Sequence, residues 1–238
     1  MTLGSLFSGS GGFELAGALA GIEPVWNAEI ESFPAKVTEK RFPHVVNYGD
    51  VTKINGGELP PVDIITFGSP CQDLSTAGRQ AGLHEGGRSI LFFEAIRIIT
   101  EMLEATDGKY PRYTLFENVP GMLTSHKGDD FRDVLQAFVD IKDPMYDVPK
   151  PDKWGGSGCI MGDSYSFAWR TYDAQFWGVP QRRKRVYLLG CLSGQRAGEI
   201  LFKCESERWD PETGRRAWER AASYIKGRFG EDRPAWLR

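Results

Sequence analysis

The chain has 238 residues, with 29 Lys and Arg against 32 Asp and Glu, so its formal net charge is −3. Hydrophobic residues make up 41% and charged residues 26%, with 28 Gly and 14 Pro, ordinary globular usage that excludes a disordered, collagen-like or disulfide-stapled chain. The acidic balance argues against a general basic coat for nucleic acid but leaves a local basic groove open, no apolar run approaches the ~20 residues of a membrane span, and Met1–Ser5 lacks a secretory start.

In chain order, Leu3–Phe7 reads as a short strand running into Ser8-Gly9-Ser10-Gly11-Gly12. Phe13, Ala16, Leu19 and Ala20 then recur at helical spacing. Val25–Ile30 is a second strand, Phe33–Arg41 a second helix, Val45–Tyr48 a third strand and Asp63–Gly68 a fourth. Leu91–Met102 reads as a helix, Tyr113–Glu117 as a fifth strand, and Phe131–Ile141 as a helix with Phe131, Leu135 and Phe138 on one face. Pro144, Pro149, Pro151 and the run Gly155-Gly156-Ser157-Gly158 mark Asp143–Asp163 as a loop or insertion. Ser164–Ala174 and Arg185–Gly190 are two further strands, and the pattern decays past Gly190. Strands alternating with helices predict an α/β, doubly wound, Rossmann-like domain with a mostly parallel sheet and helices on both faces.

Four residue groups fall where such a sheet does chemistry. The Gly-rich turn Phe7–Gly12 lies outside the first strand, where backbone approaches a nucleotide closely. Glu29 ends the second strand, 17 residues beyond Gly12, in reach of ribose hydroxyls, and Asp50 closes the third, placed to accept from an adenine amine. Taken singly, both acids read equally as solvated strand ends. There is no GxxxxGK[ST], so a cofactor without phosphates, such as S-adenosyl-L-methionine, fits better than a dinucleotide.

Cys71 follows Gly68-Ser69-Pro70 at the carboxyl end of the fourth strand, before a polar, glycine-rich stretch that reads as a lid. Free cysteines are usually buried and inert, but one here is a candidate nucleophile if a neighbour activates it. Glu117-Asn118-Val119 ends the fifth strand, and a Glu buried there would be held protonated by desolvation, as a proton donor; the plainer reading is a cap on the turn. Gln181-Arg182-Arg183-Lys184-Arg185 enters the last strand, and alternation sends Arg183 and Arg185 to one face and Arg182 and Lys184 to the other. Cys71, Cys159, Cys191 and Cys204 form no CxxC pair, and no structural zinc or other metal is expected.

These groups, in this order, resemble the cytosine carbon-5 DNA methyltransferases of bacteria and phages. The residues that carry the resemblance are Phe7–Gly12, Glu29, Asp50, Gly68-Ser69-Pro70-Cys71-Gln72, Arg88 through Leu91-Phe92-Phe93, Glu117-Asn118-Val119 and Gln181–Arg185, within about residues 3–190. The resemblance implies an S-adenosyl-L-methionine-dependent enzyme acting on a cytosine flipped out of double-stranded DNA. It implies that the Cys71 thiolate adds to carbon-6, Glu117 engages N3 and the exocyclic amine, Arg185 holds the O2 side and Arg183 supports the site. Carbon-5, thereby made nucleophilic, takes the methyl group and then loses its proton to release Cys71. Phe7, Gly9, Gly11, Gly12, Glu29, Ile30, Asp50, Val51, Pro70 and Leu91 would contact the cofactor. Gln72, Ser75, Arg79, Arg88, Asn118, Gln181 and Arg182 would meet DNA, with Gln72–Arg88 closing over the base. The expected setting is cytoplasmic and nucleoid-associated, without a membrane.

Family members continue past the Arg-x-Arg strand into a target-recognition region and a returning segment. Residues 1–190 are therefore expected to form the catalytic and cofactor-binding domain, and residues 191–238 a linker or the start of a shortened recognition region, with Gly194–Glu207 as linker. A second chain supplying recognition is one expectation, and an inactive or complementation-dependent fragment that binds cofactor or DNA without turnover is the other. A small-molecule methyltransferase on the same fold is a third reading, with no use for Cys71, Glu117 and Arg185 together.

Overall fold

Thr2–Leu6 (β1), Glu23–Ala28 (β2), Val46–Asn47 (β3), Ile64–Phe67 (β4) and Tyr113–Asn118 (β5) lie parallel to one another, and Ser157–Met161 (β6), Ser166–Asp173 (β7) and Lys184–Cys191 (β8) extend the same sheet antiparallel. The structure, a computed structural model, describes residues 1–69, 89–178 and 181–202. The strand order is β3-β2-β1-β4-β5-β8-β7-β6, so the chain reverses direction in space at β1 and β4. The Gly-rich loop and Glu29 thus meet at the carboxyl ends of the parallel strands, where open α/β sheets hold ligands.

Each face of the sheet has its own cover. On one, Phe67, Phe116, Phe167 and Leu188 pack beneath Ser89–Ala105 (α3) and Asp129–Asp140 (α4). Phe138 of α4 touches Phe67, Phe92, Phe116 and Phe167 at ring-centroid distances from 5.6 to 6.2 Å, a continuous aromatic seam from helix to sheet. On the other face, Ala168, Leu189 and Cys191 meet Ala197–Phe202 (α5), while Gly12–Leu19 (α1) lies on β1 and β2. Alternation along β7 and β8 assigns these residues: Phe167 and Leu188 face one layer, Ala168 and Leu189 the other.

Two expectations need correcting. The stretch 143–163 contains strand β6, although its glycines suggested a loop. The reason is close packing: a Cβ on Gly158 would stand 2.1 Å from the Trp169 ring, so the paired strand's indole occupies the space a side chain would take. Past Gly190, where the sequence pattern decays, the chain forms α5, which packs on β7 and β8. Helix α1 does not bury Phe13, Ala16 and Leu19; Glu14 and Gly17 face inward instead, and Leu19 is exposed. Gly17 allows the close approach, since a Cβ there would meet Leu3 at 3.2 Å.

Candidate active site

The Gly-rich loop is built by its neighbours. Phe7, Gly9 and Gly11 all have positive φ, at 54°, 55° and 86°, and Phe7 is a residue type that rarely tolerates this. Glu29, just beyond β2, joins the loop to the chain ahead of the second helix: Oε2 accepts the Gly9 N–H at 2.7 Å and Oε1 the Glu31 N–H at 2.8 Å. Thr38 of Ser32–Arg41 (α2) donates its hydroxyl to the Gly9 carbonyl at 3.1 Å. Ile30 is exposed beside Glu29, an apolar surface suited to the flat face of a base, and Ser8 Oγ is buried there without a hydrogen-bond partner. Open loop backbone, a carboxylate and an apolar wall fit a nucleoside such as that of S-adenosyl-L-methionine.

Asp50 caps the 3-10 turn Val51–Lys53. Its Oδ1 accepts the Thr52 hydroxyl at 2.8 Å and the Thr52 N–H at 3.0 Å, which hold its carboxyl below the usual aspartate value. The Val51 side chain is buried in the core, and Leu91 packs against that core from the start of α3. Arg97 of α3 positions this turn from below: it donates to the Val51 carbonyl at 3.1 Å and the Ile54 carbonyl at 2.8 Å. Glu94 and Glu101 clamp the same guanidinium, and Glu101 also accepts the Gly56 N–H at 2.6 Å. Desolvation works against the charge, but the hydrogen bonds from Glu101 and Glu94 outweigh it and raise the pKa of Arg97.

The second cluster lies across β5 and β8. Glu117 is paired in register with Tyr187, and Arg185, two residues before Tyr187, places Nε 2.8 Å from Glu117 Oε1. A Cβ on Gly68 would stand 3.0 Å from Glu117 Oε2, so this carboxylate lies against the backbone that leads toward position 71. At the strand end 23% of the Glu117 side chain is accessible, and its carboxylate faces the Arg185 guanidinium. Arg183 and Arg185 share a face, as alternation predicts, and with Tyr172, Trp177, Tyr187 and Leu115 they line a cavity of about 440 Å³. Burial and then the Glu117 charge push the Tyr187 hydroxyl pKa up, against the pull of Arg183 and Arg185.

Asn118 points to the opposite face of β5, is 2% exposed and accepts the Val119 N–H at 2.6 Å. Its side chain braces the turn, and alternation along β5 sends it to the buried face. Gln181 and Arg182 are exposed. Pro70, Cys71, Gln72, Ser75, Arg79 and Arg88 lie outside the described residues. Cys159 is exposed and Cys191 buried, and both are free. Among the described residues no three His, Cys, Asp or Glu side chains are grouped to hold a metal ion, and no helix is long and apolar enough to cross a membrane.

Glu14, Thr38, Arg97 and Trp177 belong to these surroundings without having stood out in the chain. Glu14 is fully buried on α1, and burial raises its pKa from 4.5 to about 7. Its oxygens make no hydrogen bond of proper geometry, and its own N–H with the nearby Asn27 and Ser5 side chains offsets only part of the cost of burial. Arg97 had a legible signal, acids three before and four after it on one helix. Thr38 had none, since its role depends on where α2 docks.

Comparison with known proteins agrees with this geometry. The family described as C-5 cytosine-specific DNA methylase matches residues 1–223. The type II methyltransferase M.NgoBV of Neisseria gonorrhoeae is 32% identical over 80% of this chain and 41% of its own length. An Escherichia phage P1 protein named DNA N-6-adenine-methyltransferase is also 32% identical, over 93% of this chain and 33% of its own length. The S. pombe Dnmt2 methyltransferase structure shares the fold, with a TM-score of 0.59 at 17% identity over 89% of this chain and 57% of that one. The chain belongs to the C-5 cytosine-specific DNA methylase family. It spans between a third and about two fifths of the length of the two relatives named.

Proposed function

We propose that the chain is the catalytic part of a DNA (cytosine-5-)-methyltransferase that uses S-adenosyl-L-methionine, with residues 1–190 forming the catalytic and cofactor-binding unit. The observation that carries this reading is the Glu117–Arg185 ion pair, set against Gly68 just before Cys71 and beside the cavity of Arg183 and Tyr187. Carbon-5 of cytosine is too electron-poor to attack a methyl donor, so the reaction needs a nucleophile at carbon-6 and groups that steady the activated ring. Cys71 supplies the nucleophile. Glu117 engages N3 and the exocyclic amine, and the Arg185 fork, already oriented by Glu117, holds the O2 side. Glu29 and the loop Phe7–Gly12 hold the cofactor's nucleoside. When bound, the cofactor supplies an electrophilic methyl group. Loss of the carbon-5 proton then lets the Cys71 sulfur leave.

Target recognition lies outside this unit, and a second chain is the partner proposed to bring it to double-stranded DNA. The name of the phage P1 relative makes adenine the reaction to distinguish. Transfer to an exocyclic amine needs no thiolate adduct, so Cys71, Glu117 and Arg185 together favour cytosine. The test incubates the chain, with and without a candidate second chain, with duplex DNA and labelled cofactor, then hydrolyses the DNA to its bases. Label in 5-methylcytosine is expected, lost in Cys71→Ser and reduced at least about a hundredfold in Glu117→Gln. Label in N6-methyladenine, or transfer that survives Cys71→Ser, overturns the reading. Cofactor or DNA binding without transfer in either arm identifies an inactive fragment.

A further inference from the structure

The helix that follows the Gly-rich loop opens with a buried acid that the proposed chemistry does not use. Ser5 of β1 and Asn27 of β2 stand opposite each other in the strand pairing, and Glu14 of α1 packs over them. Glu14 and Ser5 are 0% exposed and Asn27 is 2% exposed. Both Glu14 oxygens, Ser5 Oγ and Asn27 Oδ1 are buried without a hydrogen-bond partner of proper geometry. Among the described residues, no cation lies within ion-pair distance of Glu14. The charge that acts on it is that of Glu29, of the same sign and two residues beyond Asn27. Arg41 of α2 meets the loop at the Ser10 carbonyl, at 3.4 Å.

Two connections tie this cluster to the loop. Along α1, Gly11 caps the helix: its N–H donates to the Ser8 carbonyl at 3.1 Å, and its carbonyl accepts the Leu15 N–H at 3.0 Å. Along β2, Asn27 leads to Glu29, whose Oε2 holds the Gly9 N–H at 2.7 Å. A protonated carboxyl brings the cluster a donor, whereas an ionised one brings only acceptors. An anion buried among neutral side chains is costly, and moving the first turn of α1 toward water relieves that cost. The same movement displaces Gly11 and Gly12, which are among the proposed cofactor contacts. We propose that Glu14 is a positioning residue for the cofactor loop, its proton shared with Ser5 and Asn27 to keep the loop in its binding shape. This rests on the reading that the loop holds S-adenosyl-L-methionine. Ionisation of Glu14 then weakens cofactor binding, although charge alone would draw a cofactor of net positive charge toward a carboxylate. Burial places that ionisation at about 7.

The test measures the Kd of labelled S-adenosyl-L-methionine for the full 238-residue chain by equilibrium dialysis between pH 6 and pH 8. The cofactor's own amino group titrates at about 7.7–8.0, so the unaltered chain is compared with Glu14→Gln at each pH, which cancels that effect. With ionisation at about 7 and only the protonated form competent, about one chain in ten is ready to bind at pH 8. Relative to Glu14→Gln, the affinity of the unaltered chain is therefore expected to fall about tenfold from pH 6 to pH 8. Glu14→Met, uncharged but unable to hydrogen-bond Ser5 or Asn27, is expected to follow the pH course of Glu14→Gln with weaker binding throughout. Urea midpoints at each pH establish that the chains compared are folded. If the unaltered chain and Glu14→Gln keep a constant ratio of affinities across pH, the proposal falls and the cofactor reading stands. An affinity that rises with pH relative to Glu14→Gln overturns it too, since that is the sign of simple charge attraction. If neither the unaltered chain nor the variants bind the cofactor at any pH, the cofactor reading falls and the proposal with it.

Discussion

Glu14 is the residue whose placement has the clearest energetic consequence. Its pKa in the fold, about 7, lies above its ordinary value of 4.5, so the folded chain holds this proton more tightly than the unfolded one. By linkage, the associated stability is fully present below about pH 4.5 and is lost as pH rises through about 7. The expected outcome for Glu14→Gln is a flatter stability profile between those limits. A gain on the order of 3 kcal/mol is expected at pH 8, read from urea midpoints across pH. At the second cluster, Arg185→Lys keeps a charge but removes the Nε–H that meets Glu117. Methyl transfer is expected to fall roughly a hundredfold, mostly in kcat, if the fork holds the activated ring as proposed. Glu29, Glu117, Arg183 and Arg185 stood out in the chain by type and strand position, whereas Thr38, Arg97 and Trp177 did not. The partners could not be read: the Gly9–Glu29 bond and the Glu117–Arg185 pair join segments that local pattern does not connect.

Among the elements, α3 links core to site. Its apolar face fills the main core while Arg97 holds the turns at Val51 and Gly56 through two carbonyls and the Glu101 carboxylate. Arg97→Met leaves those carbonyls unpaired and Glu94 and Glu101 without their cation. Because the guanidinium is 34% exposed, the expected loss is discounted to about 1–2 kcal/mol. Cofactor affinity measured by equilibrium dialysis is expected to weaken severalfold, since Asp50 rides on the turn that Arg97 holds. The helices with broad apolar faces, α3 and α4, were legible because a 3.6-residue period is a local property. Helix α1 was legible as a helix but misread in its orientation, because Gly17 permits a close approach to Leu3 that draws the face of Glu14 inward. Strand β6 was hidden because its glycines serve the Trp169 ring of the neighbouring strand.

At the scale of the molecule, the two layers of core are unequal. Phe138 joins both main-layer helices to the sheet, so Phe138→Ala is expected to cost about 3–5 kcal/mol in urea unfolding. Leu201 belongs to α5 in the thin second layer and is only partly buried, and Leu201→Ala is expected to cost less than about 2 kcal/mol. The net charge of −3 coexists with cations exposed together at Arg182 and Lys184. Overall charge averages over a surface, whereas binding responds to the local field.

The order of β1–β5 with α1–α4, the Gly-rich turn and the residue types at the strand ends followed from the sequence alone, because periodicity and turn chemistry act over a few neighbouring residues. The family resemblance followed too, since it rests on those same short motifs. Tertiary structure alone decided that β8 runs antiparallel beside β5, which sets Arg185 against Glu117, and that α1 turns a carboxyl inward. Both depend on which distant surfaces pack together, a choice made by the whole core rather than by any local run of residues.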